Sequence, residues 1–286
     1  MIREEYLRRL VDNAYVDLYL SSVDGCRIYW PWRMLPPSES SMRYRNACEQ
    51  YLIDSQPQSP AVGNADVLDE AVRVNADAVL LADYFPFEMY YQRGGPLFDH
   101  AGDLKGGREE DLRALEQAER EYGDAHTATV HRVRDGYELA QTHPFDGEII
   151  LPLQAPFSDA VGELPSHDRY AVGGLKDASA SDTRRVEAAR ETRAAAPDAW
   201  IHGLGWGATD SVVAAVHDDP TLLDSVDYST PIQNAIHGVA RGEERTSVTA
   251  AHAGATLIED LRLFSSYIDT PPSSPETEAT AMSDFT

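Results

Sequence analysis

The chain has 286 residues, enough for one large α/β barrel or two modest domains, and long enough in either case to bury a sizeable core. It carries 48 acidic against 24 basic residues, a formal charge of −24, and only two of the basic residues, Lys105 and Lys176, are lysine. An acidic, lysine-poor surface suits a halophilic protein kept soluble in molar salt by hydrated carboxylates; phosphate attraction is screened there, so the charge does not exclude a nucleic-acid partner. Cys26 and Cys48 form no Cys-x-x-Cys pair, which argues against a thiolate zinc site or a disulfide framework and fits a reduced compartment. With no long apolar run and no signal-peptide pattern in the first residues, the expectation is a soluble, cytoplasmic protein without membrane contact.

Residues 1–13 read as an amphipathic helix and 16–21 as a first strand. Residues 22–46, with Tyr29-Trp30-Pro31-Trp32 and Pro36-Pro37, read as an irregular aromatic loop, either a hydrophobic plug or a base-stacking surface. The apolar run Tyr51-Leu52-Ile53 closes on Asp54 and Ser55. Asn64 or Asp66 then caps a helix that holds Val67, Leu68, Ala71, Val72 and Val74 at helical spacing, and a strand over 78–83 closes on Asp83. An insertion follows over about 84–147: a glycine-bearing aromatic segment to Arg108, suited to a lid or substrate loop, and then helices over 109–122 and 127–140.

The next strand, 148–153, closes on Gln154 before an Ala155-Pro156 turn, and strand 170–172 runs into Gly173-Gly174-Leu175. Ser181 or Asp182 caps a helix over 183–196 that carries four arginines, more in keeping with a solvated face than a phosphate track. Trp200-Ile201-His202-Gly203-Leu204-Gly205 makes another strand and turn, Thr209 or Asp210 caps a helix to His217, and strand 225–230 carries Asp227 near its C-terminal end. A helix over 247–268 closes the fold, and 270–286 reads as a disordered acidic tail.

Strand and helix thus alternate at least six times, and polar residues gather at the strands' C-terminal ends. That pattern predicts an α/β fold, a (β/α)8 TIM-like barrel formed as one domain over residues 1–269. Neither a Gly-x-Gly-x-x-Gly fingerprint nor a P-loop follows an early strand, so no nucleotide cofactor is expected. A carboxylate at a buried strand end is costly unless it is paired or used, which singles out Asp54, Asp83 and Asp227.

Taken in order, the strand ends Asp54-Ser55, Ala82-Asp83, Leu153-Gln154-Ala155, Ala171-Val172-Gly173-Gly174-Leu175, His202-Gly203-Leu204-Gly205 and Ser225-Val226-Asp227 form a series. That series, over about residues 50–235, resembles the tRNA-guanine transglycosylase superfamily, including the relatives that place 7-deazaguanine bases in DNA. The resemblance implies Asp227 as the nucleophile at C1′ of the target nucleotide and Asp54 as the acid/base for the incoming base. It implies Asp83 and Gln154 as partners of the purine-like edge and Gly173, Gly174 and Leu175 as backbone against the base; His202, in the same series, reads as either a pocket wall that contacts substrate or a packed core histidine. The partners it implies are a nucleic acid, DNA favoured over tRNA, and a free 7-deazaguanine base.

The chemistry suits these residue types. A carboxylate can stabilise an oxocarbenium-like centre and form a covalent glycosyl intermediate, and a second carboxylate can move the proton. The zinc cysteines of the tRNA enzymes have no counterpart after Cys48, so no metal is expected, and Asp227-Tyr228-Ser229-Thr230 is more similar to the DNA branch. Two other readings stay open at this point: a Schiff-base lyase using Lys176, and an inactive barrel that binds purine or nucleic acid for a separate catalytic chain, with the oligomeric state open in each.

Overall fold

A computed structural model describes residues 2–21, 29–175, 182–229, 239–240, 243–244 and 250–265. Eight strands close into a parallel β-barrel in sequence order, with helices in the connections, the expected (β/α)8 architecture. Two further strands, β9 (Val239–Ala240) and β10 (Glu243–Glu244), pair antiparallel in a separate ribbon. The chain divides into two compact units: Met1–Met34, Ser41–Tyr51 and His202–Thr286 in one, Leu35–Ser40 and Leu52–Ile201 in the other.

In the first unit, β1 (Asp17–Leu20) pairs with β8 (Ser225–Tyr228), placing Tyr19 opposite Asp227, and the end of β7 (Trp200–Gly203) pairs with β8 so that His202 lies opposite Ser225. Leu18, Leu20 and Val226 are fully buried, as expected of barrel strands covered on both faces. Helix α1 (Ile2–Asp12) packs on α10 (Ala250–Leu263), and Leu10 of the one and Leu257 and Leu261 of the other are buried.

The stretch read as an irregular loop over 22–46 contains β2 (Trp32–Leu35), which pairs with β1, and a one-turn helix α2 (Met42–Arg45). All four β2 side chains are buried, so its sequence lacks the alternation of a half-exposed strand, and the prolines on either side of it favour a loop reading. The aromatics of this segment are structural in part: Trp30 is buried and its indole donates to Leu18 O at 2.7 Å.

The second unit carries β3 (Gln50–Ile53) from Leu52 on, then β4 (Ala78–Leu80), β5 (Glu148–Leu153) and β6 (Arg169–Val172), paired in that order. Strand β4 ends three residues before Asp83. Helix α3 (Asn64–Val74) buries Val67, Leu68, Ala71 and Val74 and leaves Val72 exposed. Its cap differs from the expectation: Gly63 is the N-cap, and its amide donates to Asp66 Oδ2 at 2.7 Å. Asn64 is instead a bridge, with Oδ1 accepting from Ala82 N at 2.8 Å and Nδ2 donating to Arg132 O at 2.8 Å.

The insertion folds around Tyr84, Phe87, Tyr90 and Leu97, which pack on Leu115 of α5 (Glu109–Tyr122) and Ala128 of α6 (Ala125–Ala140). A short α4 (Phe87–Tyr90) lies within it, and α6 starts two residues earlier than expected because Asp124 caps it by accepting from Thr127 N at 2.8 Å. Beyond the expected Ala155-Pro156 turn lies a helix not expected from the sequence, α7 (Phe157–Glu163), which begins after Pro156 and precedes β6; α8 (Asp182–Ala195) follows. Helix α9 (Asp210–Asp218) starts at the expected Thr209 N-cap, although the Thr209 hydroxyl makes no capping bond. The final helix stops at Leu263, short of the expected 268, and Ser265 bridges back to Ala14. Lys176, Ser181, Cys26 and the 270–286 tail lie outside the described residues.

Candidate active site

In the first unit the chemistry centres on Asp227, the third residue of β8 and 5% exposed. Because side chains alternate along a strand, Ser225 and Asp227 share a face, and pairing with β7 brings His202 against both. His202 Nδ1 lies 2.7 Å from Ser225 Oγ and its Nε2 lies 3.2 Å from Asp227 Oδ1; the imidazole is 1% exposed. Tyr19 of β1 stands edge-on to the imidazole with ring centroids 5.6 Å apart, and its hydroxyl donates to Gln50 Oε1 at 2.8 Å.

The turn after β7 completes the hold. Gly205 N donates to Asp227 Oδ1 at 2.6 Å and Gly207 N donates to Asp227 O at 3.2 Å. Both glycines sit at positive φ, +70° and +62°, where a Cβ would be strained. Burial pushes the Asp227 carboxyl up, hydrogen bonds from His202, the Gly205 amide and the Ser21 hydroxyl pull it down, and the group lies below its ordinary value. These contacts favour the ionised form of a buried carboxyl.

In the second unit, Asp83, Gln154 and Ser55 form one hydrogen-bonded cluster. Ser55 Oγ donates to Asp83 Oδ1 at 2.7 Å, and Gln154 Nε2 donates to Asp83 Oδ2 at 3.3 Å and to Tyr84 O at 2.7 Å. Burial raises the Asp83 carboxyl to about 6 against the lowering effect of Ser55, Arg132 and Gln154. Arg132 reaches this corner from α6, its guanidinium 4.5 Å from the Tyr84 ring centre and its Nη1 donating to Asp83 O at 3.4 Å. Asp54 joins at the edge: its amide donates to Leu35 O at 2.9 Å, and its Oδ1 lies 3.4 Å from the Ser55 Oγ whose proton goes to Asp83.

Gln154 also forms part of a cleft of about 380 Å³, together with Gly173, Gly174, Leu175, His126 and Phe87. The Tyr84 carbonyl can only accept, so it fixes the amino end of Gln154 away from the cleft and leaves Oε1 on the Gly174 side, where a β-carbon on that glycine would collide with it. His126 Nδ1 lies 3.2 Å from Gln154 O and holds the same turn from α6.

The expected site residues thus fall into two groups. Asp83, Gln154, Gly173, Gly174 and Leu175 converge in the second unit, with Asp54 linked to Asp83 through Ser55. Asp227 and His202 meet in the first, where His202, expected among the pocket residues, is enclosed against Asp227. Sequence reading missed Ser225, although its place two residues before Asp227 on a strand marks a shared face. It also missed Arg132 and Asn64, for which separations of 49 and 18 residues from their partners left no local signal. Among the described residues no three His, Cys, Asp or Glu side chains converge as a metal cage, and no helix is long and apolar enough to cross a membrane. No protein-family model matches the chain, and no curated protein sequence matches it.

Proposed function

We propose that this protein is a base-exchange transglycosylase that replaces guanine in a nucleic acid, DNA by preference, with a 7-deazaguanine such as 7-cyano-7-deazaguanine. The observation that carries the reading is the state of Asp227: a carboxylate stripped of water at a barrel strand end, held ionised by His202 and the Gly205 amide. A water-poor anion on a parallel-barrel strand is suited to attack at a sugar carbon.

An Asp227 oxygen bonds to C1′ as the C1′–N9 bond breaks, and guanine leaves with the bonding electrons and takes up a proton from Asp54. N9 of the incoming base then bonds to C1′, the glycosyl ester opens to return the Asp227 carboxylate, and Asp54 accepts the proton that N9 loses. Gln154, which lines the cleft and is held by Asp83, supplies a hydrogen-bonding group to the base edge, and Gly173 and Gly174 leave room for a flat ring over backbone.

Labelled 7-cyano-7-deazaguanine offered with duplex DNA and with tRNA, in molar potassium chloride, tests this. Incorporation into DNA that disappears in Asp227→Ala is the expected result. Label entering only tRNA would move the substrate to RNA, full activity in the variant would remove Asp227 from the chemistry, and base binding without turnover would make the protein a binding subunit.

A further inference from the structure

We propose that Ser225 acts through His202 on Asp227: its hydroxyl holds the imidazole in the form that presents Nε2–H to the carboxylate, making Ser225 and His202 positioning residues for the nucleophile. This rests on the transglycosylase reading only for its catalytic consequence; the relay itself is a property of the folded chain.

The argument starts from the two ring nitrogens. An ionised Asp227 can only accept, so Nε2, 3.2 Å from Oδ1, must carry a proton. In the neutral ring Nδ1 is then a lone pair, and the Ser225 hydroxyl, 2.7 Å from it, is placed to donate to it. Without that donor the opposite tautomer becomes accessible, and it would turn a lone pair toward the Asp227 carboxylate. A buried histidine whose second nitrogen is fixed by a hydroxyl is thereby locked in one tautomer, just as the partner on one side of an imidazole sets the function of the other.

The placement also excludes a different use of the same three residues. Ser225 is fully buried, so its hydroxyl is not an accessible nucleophile in spite of the Ser–His–Asp order of contacts. Among the described residues the Tyr19 ring from β1, the Ser21 hydroxyl just past it and the Gly205 amide also stand against the pair. The backbone amide holds Asp227 Oδ1 independently of the relay, so loss of Ser225 should weaken the orientation and ionisation of the carboxylate without releasing it.

The experiment is nitrogen-15 NMR of the His202 ring and carbon-13 NMR of the Asp227 carboxyl in the full chain, for the native protein, Ser225→Ala and Ser225→Thr. In the native protein Nε2 should be protonated. In Ser225→Ala the carboxyl titration should move up by about one unit, the scale on which one hydrogen bond to a charged group acts, and Ser225→Thr should restore it. An unprotonated Nε2, or a proton on both ring nitrogens, in the native protein overturns the proposal without any variant, as does an unchanged Asp227 titration in a folded Ser225→Ala. Base exchange measured on the same samples reports separately on the transglycosylase reading: a relay intact by NMR in a protein that exchanges no base would overturn that reading and leave the relay standing.

Discussion

Gly174 and Gln154 fit together so closely that a β-carbon on the glycine would collide with the glutamine's Oε1, while Tyr84 O and Asp83 hold the other end of the same amide. The glutamine cannot swing aside without giving up both bonds. Gly174→Ala therefore meets two obstacles, this collision and a φ of +71°, and should cost about 1–3 kcal/mol in urea unfolding. Combining it with Gln154→Ala should recover part of that loss, because the two residues share one contact; strict additivity would show that backbone strain alone is responsible.

Asn64 joins three segments through one side chain, and neither end of its amide is dispensable. Asn64→Ala leaves Ala82 N and Arg132 O without their partner and should cost about 1–3 kcal/mol, whereas Asn64→Asp keeps the acceptor for Ala82 and should cost less. Urea melts of both variants check the order.

At Gly203 the constraint is an indole. A β-carbon there would come within 2.6 Å of the buried Trp206 ring. Gly203→Ala should shift the tryptophan fluorescence and lower the unfolding free energy by about 1–3 kcal/mol, because a ring fixed in a packed core has nowhere to go. An unchanged spectrum and stability would mean that the turn after β7 yields easily.

Asp17, at the start of β1, gives a pH-dependent test. Burial first, and the nearby Asp224 second, raise its carboxyl from 3.8 to about 6. The folded protein therefore binds a proton there more tightly than the unfolded chain does. The stabilising contribution is fully present below the unfolded value and is lost as pH rises through about 6. Asp17→Asn should accordingly raise Tm by about 2–4 °C for each kcal/mol regained at pH above that range, and lose its advantage in acid. An equal gain at all pH values would assign the effect to packing.

The strands that position the site were legible because each is an apolar run that stops on a polar residue: Tyr51-Leu52-Ile53 before Asp54, and Glu148–Leu153 before Gln154. Strand β2 was not, since four buried side chains beside prolines carry neither alternation nor a polar stop. The short α7 was hidden by Pro156 and by a length too small to show helical periodicity. Asn64 looked like a cap because its residue type and its place before an apolar run suit one, yet it is committed to partners on β4's far side and on α6. His202 shows the same limit in the site: the residue was visible, but its closure between Ser225 and Asp227 depends on strand register, which no local pattern encodes.

The oxygen of Asp227 is gripped by the amide of Gly205, and its carbonyl by the amide of Gly207, so the turn after β7 reads the aspartate with main chain alone. Such a grip is indifferent to which side chain stands at Leu204 and acutely sensitive to how many residues separate Gly203 from Gly207. Exchange at Leu204 can proceed freely, whereas removing or adding a single residue would carry the amide out of reach of the carboxylate; in this turn it is chain length that is guarded.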